Sequence, residues 1–202
     1  MNEQSPPEDE FEINFDIRIP KSRIAVLIGA DGETKGRIEQ TAQCKLDIDS
    51  QEGDVNILGN DAVLCFVAKD MVRAIGRGFN PDYALELSKI DHTLEIIDIS
   101  DGFKSKNSMQ RIKARVIGSK GKTRSVIEKT MQVHMSIFGK TIGIIGNVER
   151  VMAAKQAIDM ILDGSPHSNV YRWLEKKEKG FAHMELQGNN IEVKDEFKKY
   201  LE

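Results

Sequence analysis

From Phe11 to Ile19 apolar and polar residues alternate, with Phe11, Ile13, Phe15, Ile17 and Ile19 on one side, which predicts a strand buried on one face. Pro20 ends that run and suits the first position of a helix. Ile24, Val26, Leu27 and Ile28 then predict a short helix that runs into Gly29-Ala30-Asp31-Gly32, with a second helix from about Glu33 to Thr41. Leu46 to Ile48 and Val55 to Leu58 read as a strand pair across the turn Glu52-Gly53-Asp54, and a long helix follows from about Asp61 to Gly76. The pattern then starts again. A strand at Leu94 to Ile99 leads to a helix carrying Met109, Ile112, Val116 and Ile117, a loop Gly118-Ser119-Lys120-Gly121, and a helix to about Met131. Strands at Met135 to Phe138 and Ile142 to Ile145 come next, then an amphipathic helix with Val148, Val151, Met152, Ile158, Ile161 and Leu162, stopped by Gly164 and Pro166.

Residues carry the repetition as well as elements. Residues 28–43 read IGADGETKGRIEQTAQ and residues 117–132 read IGSKGKTRSVIEKTMQ, at an offset of 89. Ile28, Gly29, Gly32, Thr34, Ile38, Glu39, Thr41 and Gln43 recur as Ile117, Gly118, Gly121, Thr123, Ile127, Glu128, Thr130 and Gln132. One GxxG means little; two inside matched frames mean a duplicated module. Between the copies, Asn80 is a good N-cap, Pro81 fits the first helical turn and Asp82 complements a helix N-terminus, so the connector is expected to be a short helix that fixes the modules relative to each other. After the second copy, Ser168 to Lys179 predicts a further helix with Val170, Tyr171, Leu174 and Trp173, the last a packing anchor. From Gly180 on, apolar residues thin out.

Charge changes the picture. The total is 29 basic against 32 acidic residues, but residues 1–16 hold Glu3, Glu8, Asp9, Glu10, Glu12 and Asp16 with no base, which leaves the remainder mildly basic. From Lys104 to Arg124 the bases are Lys104, Lys106, Arg111, Lys113, Arg115, Lys120, Lys122 and Arg124, with no Asp or Glu. Glycines embedded in such a run let a backbone approach a ligand, and a helix starting just after them aims free N–H groups at an anion. A phosphate is the natural ligand. It is not that of a mononucleotide P-loop, because Val116 stands where GxxxxGK[ST] needs its first glycine and a helix precedes the loop instead of a strand. Thr34 and Thr123 could bond phosphate or cap the helix beside them.

Other chemistries find little support. Cys44 and Cys65 have no CxxC spacing and read as reduced, mostly buried thiols; His92, His134, His167 and His183 are scattered. One Trp, three Tyr and eight Phe, none in either GxxG loop, count against a module that stacks bases on a sheet. No cofactor, metal or small-molecule substrate is expected. The absence of a long apolar run and of a basic, apolar leader argues against a membrane span and for a cytoplasmic location.

Helix, GxxG, helix, two strands and a helix is the plan of the KH domain, and the chain resembles a tandem pair of them. The resemblance implies an α+β fold of two type I KH domains (β-α-α-β-β-α), each a three-stranded antiparallel sheet with helices packed on one face. The expected divisions are a disordered acidic tail at 1–10, a first KH domain at 11–79, a helical connector at 80–91, a second KH domain at 92–164, and a C-terminal helical extension and tail at 165–202. In such modules the loop clamps about four single-stranded nucleotides. Arg111, Lys113, Arg115, Gly118, Ser119, Lys120, Gly121, Lys122 and Arg124 are the expected RNA contacts. Lys21, Arg23, Gly29, Gly32 and Lys35, with Arg18 nearby, are expected to contribute weakly, because Asp31 and Glu33 would repel phosphate.

ARVIGSKGKTRSVIE, with AIGRGFNPDYALEL between the modules and GSPHSNVYRWLE after them, is similar to the tandem KH proteins that assist small-ribosomal-subunit assembly, a family whose eukaryotic members partner the endonuclease that trims the 3′ end of small-subunit rRNA. Ala114 and Asp31 depart from the family pattern. The resemblance implies non-catalytic binding of single-stranded rRNA alongside such an endonuclease or a translation factor. An adaptor in translation or RNA turnover would use the same chemistry; an NTP-binding enzyme is the distant alternative.

Overall fold

In the computed structural model, residues 11–100 and 105–188 are described. The acidic stretch 1–10, Lys104 of the basic run and the segment after residue 188 lie outside them. The first unit is β1 (Ile13–Arg18), α1 (Lys21–Ile28), a single 3-10 turn (Ala30–Gly32), α2 (Glu33–Ala42), β2 (Lys45–Ile48), β3 (Asp54–Gly59) and α3 (Ala62–Gly76). A connector follows, α4 (Pro81–Leu85) and a 3-10 turn (Glu86–Ser88). The second unit repeats the first as β4 (His92–Asp98), α5 (Lys106–Ile117), a 3-10 turn (Ser119–Gly121), α6 (Lys122–Met131), β5 (His134–Phe138), β6 (Thr141–Asn147) and α7 (Val148–Leu162), and α8 (His167–Gly188) extends it.

Both sheets are antiparallel and share one topology, β1-β3-β2 and β4-β6-β5, with the third strand of each unit in the centre. In the first sheet alternation decides the faces. Leu46, Val55 and Ile57 are fully buried beneath the helices beside Leu27, Ile38, Met71 and Ile75, while Asn14, Asp16 and Arg18 of β1 are exposed. Each such aliphatic side chain contributes about 1.5–3 kcal/mol on burial. Ile38 and Ile127, the repeated isoleucines, occupy matching places in the two cores.

The second sheet differs. Every residue of β6 from Thr141 to Gly146 is buried, so the strand is longer than the Ile142–Ile145 run that periodicity predicts. Ile142 and Ile144 join the core under α5–α7, whereas Leu94 and Ile145 join the core of the first unit. The connector makes this cover. Phe79 packs on Gly143, where a Cβ would lie 2.5 Å from the ring, and Gly78, at φ +93°, lets the chain pass against Ser136 and Phe138. Ser136 donates its hydroxyl to the Arg77 carbonyl at 2.8 Å, and the Tyr83 ring stacks on His134 with centroids 3.7 Å apart. As its sequence predicts, the connector is helical, with Asn80 Oδ1 accepting from the Asp82 amide at 3.0 Å. It welds the units together.

Among the described residues no helix is long and apolar enough to cross a membrane, and no group of three or more His, Cys, Asp or Glu could hold a metal ion. Burial pushes the Cys44 thiol up to about 12 and raises that of Cys65, so both are inert at neutral pH.

Candidate nucleic-acid interface

The two GxxG loops have the same backbone. In the first, Gly29 sits at φ 77°, ψ 179°, Asp31 at φ 51°, ψ 25° and Gly32 at φ 82°, ψ 10°. In the second, Gly118 sits at φ 74°, ψ 173°, Lys120 at φ 51°, ψ 31° and Gly121 at φ 77°, ψ 11°. The two glycines of each loop serve different ends. A Cβ on Gly118 would lie 2.2 Å from the Thr123 hydroxyl oxygen, and one on Gly29 would lie 2.5 Å from that of Thr34, so the first glycine is demanded by the fold. Around Gly32 and Gly121 nothing lies within 4 Å. There the missing side chain keeps open the space above the start of the next helix.

That helix start is prepared for an anion. Elsewhere a side chain caps the first turn: Asp61 for α3, Asn80 for α4, Ser105 for α5 and Asn147 for α7. α2 and α6 begin on Gly32 and Gly121 with no capping side chain, which leaves their first N–H groups directed at solvent. Thr34 and Thr123 do not cap them. Both are buried, and the Thr123 hydroxyl lies 2.8 Å from the Tyr171 hydroxyl of α8, which keeps it from the loop's outer side.

The basic residues divide into two groups. Arg111, Lys120 and Lys122 are exposed, as is Ser119, and none makes an ion pair or side-chain hydrogen bond among the described residues. The others are tied inward. Arg115 donates to the Ser165 carbonyl at 2.8 Å, while its own carbonyl lies 2.9 Å from His167 Nε2. Arg124 reaches Glu128 at 3.1 Å and the Met135 carbonyl at 2.6 Å, and Lys113 bonds the Gly139 carbonyl. In the first unit Arg23 donates to the carbonyls of Ile75 and Phe79 at 2.8 and 2.6 Å, and burial lowers its pKa. Lys21 and Arg18 face Glu52, at 3.7 and 2.8 Å, and Lys35 faces Glu39 at 3.8 Å. No exposed, unpaired base stands within the first loop, where Ala30, Asp31 and Glu33 take the places of Ser119, Lys120 and Lys122.

The repeated glutamates are structural. Glu39 accepts from the Leu46 amide at 2.8 Å and Glu128 from the Met135 amide at 2.9 Å, each fastening the edge strand to the helix after the loop. Trp173 packs against the second core as expected, with Lys177 5.4 Å above its ring.

A βααββα unit with a GxxG turn before an uncapped helix defines a KH domain, here present twice. Family models agree: the KH domain matches residues 14–74, and the eukaryotic type KH-domain (KH-domain type I) matches residues 93–179. The chain is 41% identical over 189 residues to the KH domain-containing protein MJ0443 of Methanocaldococcus jannaschii, covering 91% of this chain and 83% of that one. It is similar to the structure of an a/eIF2alpha-aDim2p-rRNA complex from Pyrococcus horikoshii, with 42% identity, a TM-score of 0.79, and 85% of this chain and 98% of the other covered. The RNA-binding protein pno-1 of Caenorhabditis briggsae is 32% identical over 108 residues, 52% of this chain and 39% of that protein. The pre-rRNA-processing protein pno1 of Emericella nidulans is 29% identical over 112 residues, 54% and 43% of the two. The chain thus spans less than half the length of these eukaryotic relatives.

The protein belongs to the PNO1/Dim2 family of tandem KH-domain proteins, which are RNA-binding and not catalytic.

Proposed function

We propose that this protein binds single-stranded small-subunit rRNA during ribosome assembly, close to the processing of its 3′ end, and that the second KH domain supplies most of the affinity. The carrying observation is the contrast between two loops of one backbone geometry: Ser119, Lys120 and Lys122 are exposed and unpaired, whereas Ala30, Asp31 and Glu33 fill the same places in the first. The Arg111 side chain and the amides after Gly121 complete the phosphate clamp; Gly118, Lys113, Arg115 and Arg124 hold its shape. The archaeal relative's complex with rRNA and a/eIF2alpha supports rRNA as ligand and a translation factor as partner in a cytoplasmic setting. The fungal relative's part in pre-rRNA processing supports a place beside the 3′-end endonuclease. The same complex favours a second reading, an adaptor between rRNA and the translation machinery.

The test is Ser119→Asp with Lys120→Asp. Both side chains are exposed, so the fold stays intact. Three charge units change beside a phosphate at roughly 1 kcal/mol each, so affinity for unpaired RNA falls by about 100-fold or more. Retention of wild-type affinity would remove the second loop from the site. Crosslinking in cells separates rRNA from mRNA as the bound species.

A further inference from the structure

At the other end of α1 from the first GxxG loop lies a cleft of about 410 Å³, formed where the end of β1 meets the end of α3. Ile19 and Pro20 line it, with Arg18, Arg73 and Arg77 around them and no carboxylate in the lining. Gly76 makes it possible: a Cβ there would lie 2.7 Å from Ile19, so only the bare backbone lets β1 and α3 close on each other. Arg73 and Arg77 stand one turn apart at the end of α3 and on one face of it. Arg18 is already paired with Glu52 at 2.8 Å and lies 3.6 Å from Asp54. The guanidinium groups of Arg73 and Arg77 have no ion pair or hydrogen bond among the described residues. Asp70 and Asp98 are near enough to feel Arg73 and Arg77 but form no ion pair with them.

We propose that the arginine-rimmed cleft formed by Arg18, Arg73 and Arg77 at the foot of α1 is a second RNA site, which takes one nucleotide of the bound strand with its phosphate between Arg73 and Arg77. The inference rests on the RNA-binding reading above. Guanidinium forks match phosphate oxygens, and the apolar Ile19–Pro20 floor suits a ribose or base of about this volume. α1 has eight residues, so the cleft and the first GxxG loop stand about 12 Å apart. A strand passing the first module therefore meets its free cations here, not at the acidic loop.

The experiment is Arg73→Gln with Arg77→Gln in the full chain. Arg77 holds the junction through its carbonyl, which glutamine retains. Binding is measured with unpaired RNAs of four and about twenty nucleotides, over a range of salt. The short RNA fills one loop clamp only. Its affinity should be unchanged, while that for the long RNA should fall about tenfold, with its salt slope smaller by about 1.4 for two lost phosphate contacts. Unchanged binding and slope for the long RNA would overturn the site, as would an equal loss for both RNAs, which would mean a damaged fold. A poly-glutamate peptide whose binding is lost in the variant while RNA binding is kept would also overturn it, in favour of an acidic protein partner. If Ser119→Asp with Lys120→Asp abolishes binding and the cleft variant does not weaken it, the cleft alone fails; if the unaltered chain binds neither RNA, both readings fall.

Discussion

The first and second GxxG loops share dihedral angles to within about ten degrees, yet they meet the following helix with opposite charge. In the second, Lys122 opens α6 against the helix dipole, an arrangement that disfavours the isolated helix and favours a bound anion. In the first, Glu33 opens α2 with Asp31 just before it, and the acidic side chains themselves complement the dipole by roughly 0.3–1 kcal/mol. One copy thus satisfies its own helix, and the other leaves that helix to be satisfied by a ligand. Duplication preserved the geometry, and the chemistry followed two separate demands.

The most severe way to test the shared geometry is Gly29→Ala and Gly118→Ala. Both glycines lie at φ near 75° with extended ψ, a region open in practice to glycine alone, and both are pressed by a threonine. Strain and clash together should cost each module about 3 kcal/mol or more, read as a lowered midpoint in denaturant. The stability losses should match; the RNA losses should not, with Gly118→Ala alone abolishing binding to short RNA. Equal loss of RNA binding would mean that the first loop grips as strongly as the second.

Exchanging the charges asks the complementary question with the backbone kept. Ser119→Ala, Lys120→Asp and Lys122→Glu put the first loop's residues into the second, and affinity should drop by about 100-fold, or ~2.7 kcal/mol. The reverse exchange, Ala30→Ser, Asp31→Lys and Glu33→Lys, should raise affinity for a longer strand by about tenfold and steepen its salt dependence by roughly 0.7 per phosphate gained. Ala30→Asp alone should cost less than about twofold, since an acidic loop gains one more charge. A gain of affinity on acidifying the first loop would point to a cationic partner there instead of RNA.

Local pattern carried most of this to the surface of the sequence. The repeat at an offset of 89 exposed the loops, the alternation of Phe11 to Ile19 exposed β1, and Asn80-Pro81-Asp82 exposed the connector helix. What stayed hidden depends on residues far apart in the chain. Arg115, Arg124 and Arg23 read as phosphate ligands in a basic run, but their partners are the carbonyls of Ser165, Met135, Ile75 and Phe79, up to 56 residues away. Composition registers a charge and says nothing of what it already holds. The cleft arginines failed to register for the converse reason: Arg73 and Arg77 look like an ordinary solvated helix end until Gly76 lets Arg18 close beside them. α8 runs to Gly188, beyond the expected Lys179, because Phe181 finds the Arg150 guanidinium 5.2 Å away despite a sequence rich in charge.

The smallest predicted effect tests the one structural partner that the second module has and the first lacks. Thr123 and Thr34 occupy the same place under the same glycine, and both are buried. α8 packs on α6 alone, however, so only Thr123 meets a tyrosine hydroxyl, that of Tyr171 at 2.8 Å. Valine has nearly the shape of threonine, and the replacement removes a hydroxyl with little change in volume. Thr123→Val strips Tyr171 of its partner and should cost about 1 kcal/mol, while Thr34→Val, with no hydrogen bond to lose, should stay within about 0.5 kcal/mol of the wild type. Thermal or denaturant midpoints of the two variants give the comparison directly. If Thr34→Val costs as much as Thr123→Val, the threonine serves the loop itself and the hydroxyl pair with α8 contributes nothing. If the difference holds, α8 acts on the second GxxG loop through Thr123 and stiffens the one loop that carries free cations.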